Sequence, residues 1–80
     1  MGHHHTHRDK QSDLSFEDKL NRLLEHWIKH NDDHVQSYED WTKKAMAENF
    51  TEAASLIKEA ADMTRVITEK FREAVNRIKR

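Results

Sequence analysis

From His3 to Arg80 the chain contains neither glycine nor proline; its one glycine is Gly2. The residues that most often stop a helix or form a tight hairpin turn are therefore missing, and long helices are the expected outcome. Length adds a second constraint. Eighty residues make one domain at most, near the size at which a single hydrophobic core is no longer enough. The absence of cysteine removes disulfides, thiolate metal sites and cysteine-based catalysis. Self-association and a metal ion remain as sources of extra stability.

Residues 1–12, MGHHHTHRDKQS, carry no aliphatic or aromatic side chain after Met1. Nothing there can be buried to offset the entropy of ordering, so a flexible arm is predicted, followed by a helical unit over 13–80. Helix should begin near Asp13 or Ser15, because Ser15 with Asp18 three residues on approximates a capping box and Glu17 suits the first turn. The first helix is predicted over about 15–47. In projection, Phe16, Leu20, Leu23, Leu24, Trp27, Ile28, Val35, Tyr38, Trp41 and Ala45 fall within an arc of about 140°, wider than a two-helix seam requires.

The periodicity breaks around Glu48, Asn49 and Phe50, where Asn49 or Thr51 can cap a second helix with Glu52 reciprocating. That helix is predicted over about 51–79. Its spacing is heptad-like, with Phe50, Ile57, Thr64, Phe71 and Ile78 at one position and Ala53, Ala60, Ile67 and Ala74 at the other. Ala54, Ala61, Val75, Leu56 and Met63 flank that seam on both sides. A short connection makes the helices antiparallel, which sets acidic Asp13, Glu17 and Asp18 beside basic Arg77, Lys79 and Arg80. The fold class is thus all-α, an antiparallel two-helix hairpin. Two rods cover only one face of each other, so a homodimer closing a four-helix bundle is expected.

Charge excludes several function classes. The 14 basic and 15 acidic residues nearly balance, so no whole-molecule field draws in nucleic acid or an anionic membrane. Six basic and two acidic side chains in the last sixteen residues suit an exposed helix C-terminus without a nucleic-acid role. With no apolar run of membrane-spanning length and no signal-peptide stretch, a cytoplasmic address is expected. Glu-x-x-His, HExxH and glycine-rich phosphate loops are absent, and a thin hairpin offers little concavity, so the chain is not expected to be an enzyme.

Seven histidines form two groups. His26, His30 and His34, in HWIKHNDDH, are spaced i, i+4 and i+8, so neighbours lie one above another on the first helix and a pair can hold one metal ion at about 2.0–2.1 Å per nitrogen. His26 and His34 are about 12 Å apart along the axis and cannot share an ion. Further ligands would come from a second copy, the arm, a carboxylate such as Asp33, or water. The projected direction drifts from His26 on the flank, through His30 at the boundary, to His34 inside the apolar arc. Each alone reads equally as an amphipathic packing residue.

The arm holds His3, His4, His5 and His7. A histidine at the third position lets the terminal amine, two backbone amides and an imidazole wrap a square-planar Cu(II) or Ni(II) ion; this is His3 with Met1 retained and His4 with Met1 removed. MGHHHTH also looks in part like an affinity tag, interrupted by Thr6, and the case for the first helix does not depend on it.

The stretch LLEHWIKHNDDH, with Tyr38, Trp41 and an Ala-rich second helix, resembles an uncharacterised family of short, His-rich prokaryotic helical proteins, a domain of unknown function. The likeness covers about residues 18–78, and its specific part is His26, Trp27, Ile28, His30, Asn31 and His34. The family's interhelical glycine has no counterpart here. The resemblance implies a helical hairpin and no settled activity.

Two functions are expected from these residues. The first is non-enzymatic transition-metal binding (Ni, Co, Zn or Cu) as buffer, store or carrier by a dimeric helical bundle, with His26, His30 and His34 as ligands, His3 and His4 as auxiliaries, and a metal-handling partner protein as a further possibility. Affinity should fall below about pH 6 as imidazoles protonate. The alternative is a structural helical interaction or dimerisation module with no metal role.

Overall fold

The computed structural model describes residues 14–79; the predicted arm, with His3 and His4, lies outside the described residues. Two helices make up the fold, α1 (Phe16–Ala47) and α2 (Thr51–Ile78), and no strand occurs among the described residues. No helix is long and apolar enough to cross a membrane among them.

The start of α1 follows the sequence expectation. Ser15 is its N-cap, and the Ser15 hydroxyl accepts from the Asp18 backbone N–H at 3.1 Å, with Glu17 and Asp18 in the first turn. The turn does not follow it. Neither Asn49 nor Thr51 caps α2: the N-cap is Phe50, with no side-chain hydrogen bond. Asn49 instead adopts φ 71° and closes α1. The Asn49 N–H donates to Met46 O at 3.0 Å and the Phe50 N–H to Ala45 O at 2.9 Å, the paired bonds of a Schellman ending. Asparagine is the residue other than glycine that most readily takes this left-handed conformation, which is how the chain reverses without a glycine.

The helices run antiparallel along a regular seam. Leu24 and Val35 of α1 are buried against Ala54, Ala61, Thr68 and Val75 of α2. Ile28, Asn31, Tyr38, Thr42 and Ala45 on α1, and Ile57, Thr64, Phe71 and Ile78 on α2, are half-buried beside them. This corrects one expectation. The position expected at the core of α2, Ala53, Ala60, Ile67 and Ala74, is not the one that packs on α1: Ala53, Ala60 and Ile67 are exposed, Ile67 to 48%. The buried row lies one residue later in each case. Thr68 sits in the core at 3% exposure, with its hydroxyl donating to Thr64 O at 2.8 Å, so the polar group costs little there.

An ion-pair ladder seals one side of the seam. Lys79 faces Glu25 at 3.9 Å, Arg72 faces Asp32 at 3.1 Å, and Arg65 pairs with Glu39. The acids recur every seven residues up α1 and the bases every seven residues down α2, as two antiparallel rods with matched heptads require. The basic end of α2 therefore meets Glu25 rather than the acidic first turn of α1; Asp13 and Arg80 lie outside the described residues.

The other side is open. Phe16, Leu23, Trp27 and Trp41 on α1 are exposed to 77%, 43%, 39% and 57%. Phe50 at the cap of α2 and Leu56 and Ile67 within it are exposed as well.

Candidate functional site

All three α1 histidines are exposed, and the geometry separates them. His30 and His34 come together: their Nε2 atoms are 2.9 Å apart, and the rings meet edge to face with centroids 4.3 Å apart. The i, i+4 spacing brings the two Cβ atoms onto one face, and the T-shaped arrangement aims both Nε2 atoms at a common region. His26 stacks nearly parallel on His30, with centroids 6.0 Å apart. It lines a shallow groove with Leu14, Lys19, Arg22 and Leu23, where the two cationic neighbours disfavour a metal ion.

His34 also lines the open groove between the helices, together with Trp27, Asn31, Tyr38, Thr64, Ile67 and Phe71. Its ring stacks on Tyr38 at 5.8 Å, and Trp27 and Phe71 close the floor at 5.3 Å. The inward drift of the ladder expected from the projection is visible here, since His34, and not His26, borders this groove.

A separation of 2.9 Å has two chemical meanings. For metal–nitrogen bonds of about 2.0–2.1 Å it is the edge spanned by two ligands at roughly 90°, as in square-planar or octahedral coordination. It is equally an N–H···N hydrogen bond, in which one ring donates and the other accepts. Among the described residues no group of three or more His, Cys, Asp or Glu side chains is arranged to hold a metal ion. Asp33 does not join the pair, so one hairpin offers at most two nitrogen ligands at this place.

The ladder of Glu25, Asp32 and Glu39 against Lys79, Arg72 and Arg65 was not anticipated. The signal was present, since like charges repeat at seven-residue spacing in each helix. The ladder itself borders an open polar groove, in which Asp32, Glu39, Arg65 and Arg72 are joined by Gln36 and Glu69.

These features define a class: an antiparallel helical hairpin with one charged, sealed side and one apolar side bearing a histidine pair. Residues 20–78 match the family model described as Domain of unknown function (DUF8180), and the chain belongs to that family. An uncharacterized protein of Archaeoglobus fulgidus is similar to it, 33% identical over 61 residues that cover 76% of this chain and 97% of that protein. No solved structure matches the chain. The family match spans the hairpin and leaves the His-rich arm outside it.

Proposed function

We propose that this protein is a non-enzymatic, histidine-based binder of a transition metal ion, acting as buffer, store or carrier within a bundle made of two copies. The single observation that carries this is the His30–His34 pair, whose 2.9 Å Nε2 separation suits a two-nitrogen clamp. Imidazole pairs favour Ni(II), Co(II), Zn(II) or Cu(II) over hard cations. Two ligands from one chain make a weak, open site, and two more from a second copy would raise both affinity and selectivity. His26 is a stacking neighbour in this reading, and His3 and His4 are auxiliary chelators.

Titration calorimetry on the full chain with His3, His4, His5 and His7 replaced by serine tests the proposal. Micromolar or tighter binding of one of the four metals is expected, lost in His30→Ala and kept in His26→Ala. No heat with any of the four ends it.

A second reading, a structural helical interaction module with no metal role, is favoured by the same 2.9 Å contact, which as an N–H···N hydrogen bond needs no metal. Thermal melts with EDTA and with metal separate the two, because a ligand held only by the folded form must raise the midpoint.

A further inference from the structure

We infer that the side of the hairpin opposite the ion-pair ladder is the contact surface for a second copy of this chain, related by a twofold axis, with α1 of each copy laid along α2 of the other. The inference rests on the two-copy part of the proposed function and is independent of whether a metal binds.

Area comes first. The large apolar side chains on this side, from Phe16 and Trp41 to Phe50 and Ile67, are between 39% and 77% exposed. Together they leave on the order of 1,000 Å² of apolar surface open, comparable with the ~800 Å² per partner of a stable specific interface. The hairpin's own core has no large side chain that is fully enclosed. A second layer of helices is what a chain of this length lacks.

Shape identifies the occupant. The aromatic bulk stands on α1, as Phe16, Trp27 and Trp41, whereas the matching edge of α2 carries Ala53, Ala60 and Ala74 around a single large residue, Ile67. A face with aromatic rings on one helix and mostly alanine on the other is complementary to itself under a twofold rotation, because the rings of one copy enter the room left beside the alanines of the other. The α2 row of Ala53, Ala60, Ile67 and Ala74 repeats every seven residues along the helix, so it calls for a rod of similar length and the same period.

Charge narrows it further. In projection, Phe16, Leu23, Trp27, His30, His34 and Trp41 form the stripe on α1, and the cations beside it stand at its edge, Lys44 over the Trp41 ring at 4.3 Å and Lys19 and Arg22 next to Leu23. The α2 stripe, Ala53, Ala60, Ile67 and Ala74, carries no charge. A nucleic acid or an anionic membrane would call for fixed charges along the middle of this face, whereas a second copy with the same apolar middle and charged edge does not. The arrangement also puts the histidine pair on the contact side, where the second copy can bring its own pair near.

Light scattering of the full chain in EDTA tests the inference. A particle of twice 9.6 kDa is expected. Ile67→Lys should weaken self-association at least 100-fold, while Val66→Lys, one residue along and outside the stripe, should leave it unchanged. Should Ile67→Lys lose helicity by circular dichroism, Ile67→Ala keeps a good helix former and should still weaken the dimer about 10-fold. A wild-type mass of a single chain overturns the inference, as does a dimer broken by Val66→Lys and indifferent to the Ile67 variants. A dimer in EDTA that takes up no metal removes the metal reading alone, and a metal-binding single chain removes this inference alone.

Discussion

Trp27 of α1 and Phe71 of α2 meet across the open side of the hairpin with ring centroids 5.3 Å apart and planes inclined at 42°. The pair is an aromatic contact between the helices on the side away from the ion-pair ladder. Tilted rings at this distance are worth about 0.5–1.5 kcal/mol beyond the area they bury. Trp27→Ala and Phe71→Ala should each destabilise the fold by about 1–3 kcal/mol. A double-mutant cycle in denaturant at one fixed protein concentration should return a coupling near 1 kcal/mol. Strict additivity would mean that the rings do not interact.

The ladder predicts a charge-swap rescue. Asp32 and Arg72 are 3.1 Å apart with side chains about half exposed, so the pair contributes roughly 0.2–1 kcal/mol. Asp32→Arg or Arg72→Asp alone should lower the melting midpoint, and the two together should recover most of the loss at low salt. In about 1 M salt the differences should shrink, and a double variant no better than the singles would remove the ladder as a register device.

Asn49 carries a prediction from its backbone alone. Its φ of 71° costs an alanine about 1 kcal/mol and a glycine almost nothing. Asn49→Gly should be neutral or stabilising and Asn49→Ala destabilising by about 1 kcal/mol, read by thermal melts of both variants. The reverse order would contradict the Schellman ending.

Asn21 is half-buried on α1, and its side-chain Oδ1 is buried without a hydrogen-bond partner. A buried unpaired carbonyl costs about 1–3 kcal/mol, so Asn21→Leu should raise stability by about 1 kcal/mol and the midpoint by several degrees. An unchanged or lower midpoint would show that the amide is better satisfied than the structure implies.

For the metal proposal the pH dependence has a fixed sign. A metal ion and a proton compete for the same imidazole nitrogen, so affinity falls as pH falls. Between about pH 7.5 and 5.5 the affinity of the chain lacking arm histidines should drop at least ~10-fold, with more protons released per metal bound at the lower pH. Binding that is insensitive to pH over this range points to carboxylates rather than His30 and His34.

The sequence by itself determined that this chain forms two helices, roughly where they start and stop, and that one face of each is apolar. Those properties are local: missing helix breakers, a serine cap and a hydrophobic period act through neighbours within a turn or two. It also placed three histidines on one side of α1 and carried the drift that brings His34 toward the groove. It did not determine which of two rows on α2 would pack on α1. Ile57, Thr64, Phe71 and Ile78 are half-buried and border either row, and hydrophobicity favours the one with Ile67.

Tertiary structure chose the row with Ala54, Ala61, Thr68 and Val75. Arg65, Arg72 and Lys79 each lie four residues beyond a member of that row, and this rotation brings them to Glu39, Asp32 and Glu25. The alternative row would turn these bases about 100° away from the acids. Thr68 is tolerated because its hydroxyl is satisfied within its own helix, and Ile67 is left on the open side. The closeness of His30 and His34 was likewise decided by rotamers, since i, i+4 spacing brings two rings near and only their side-chain torsions bring Nε2 to Nε2.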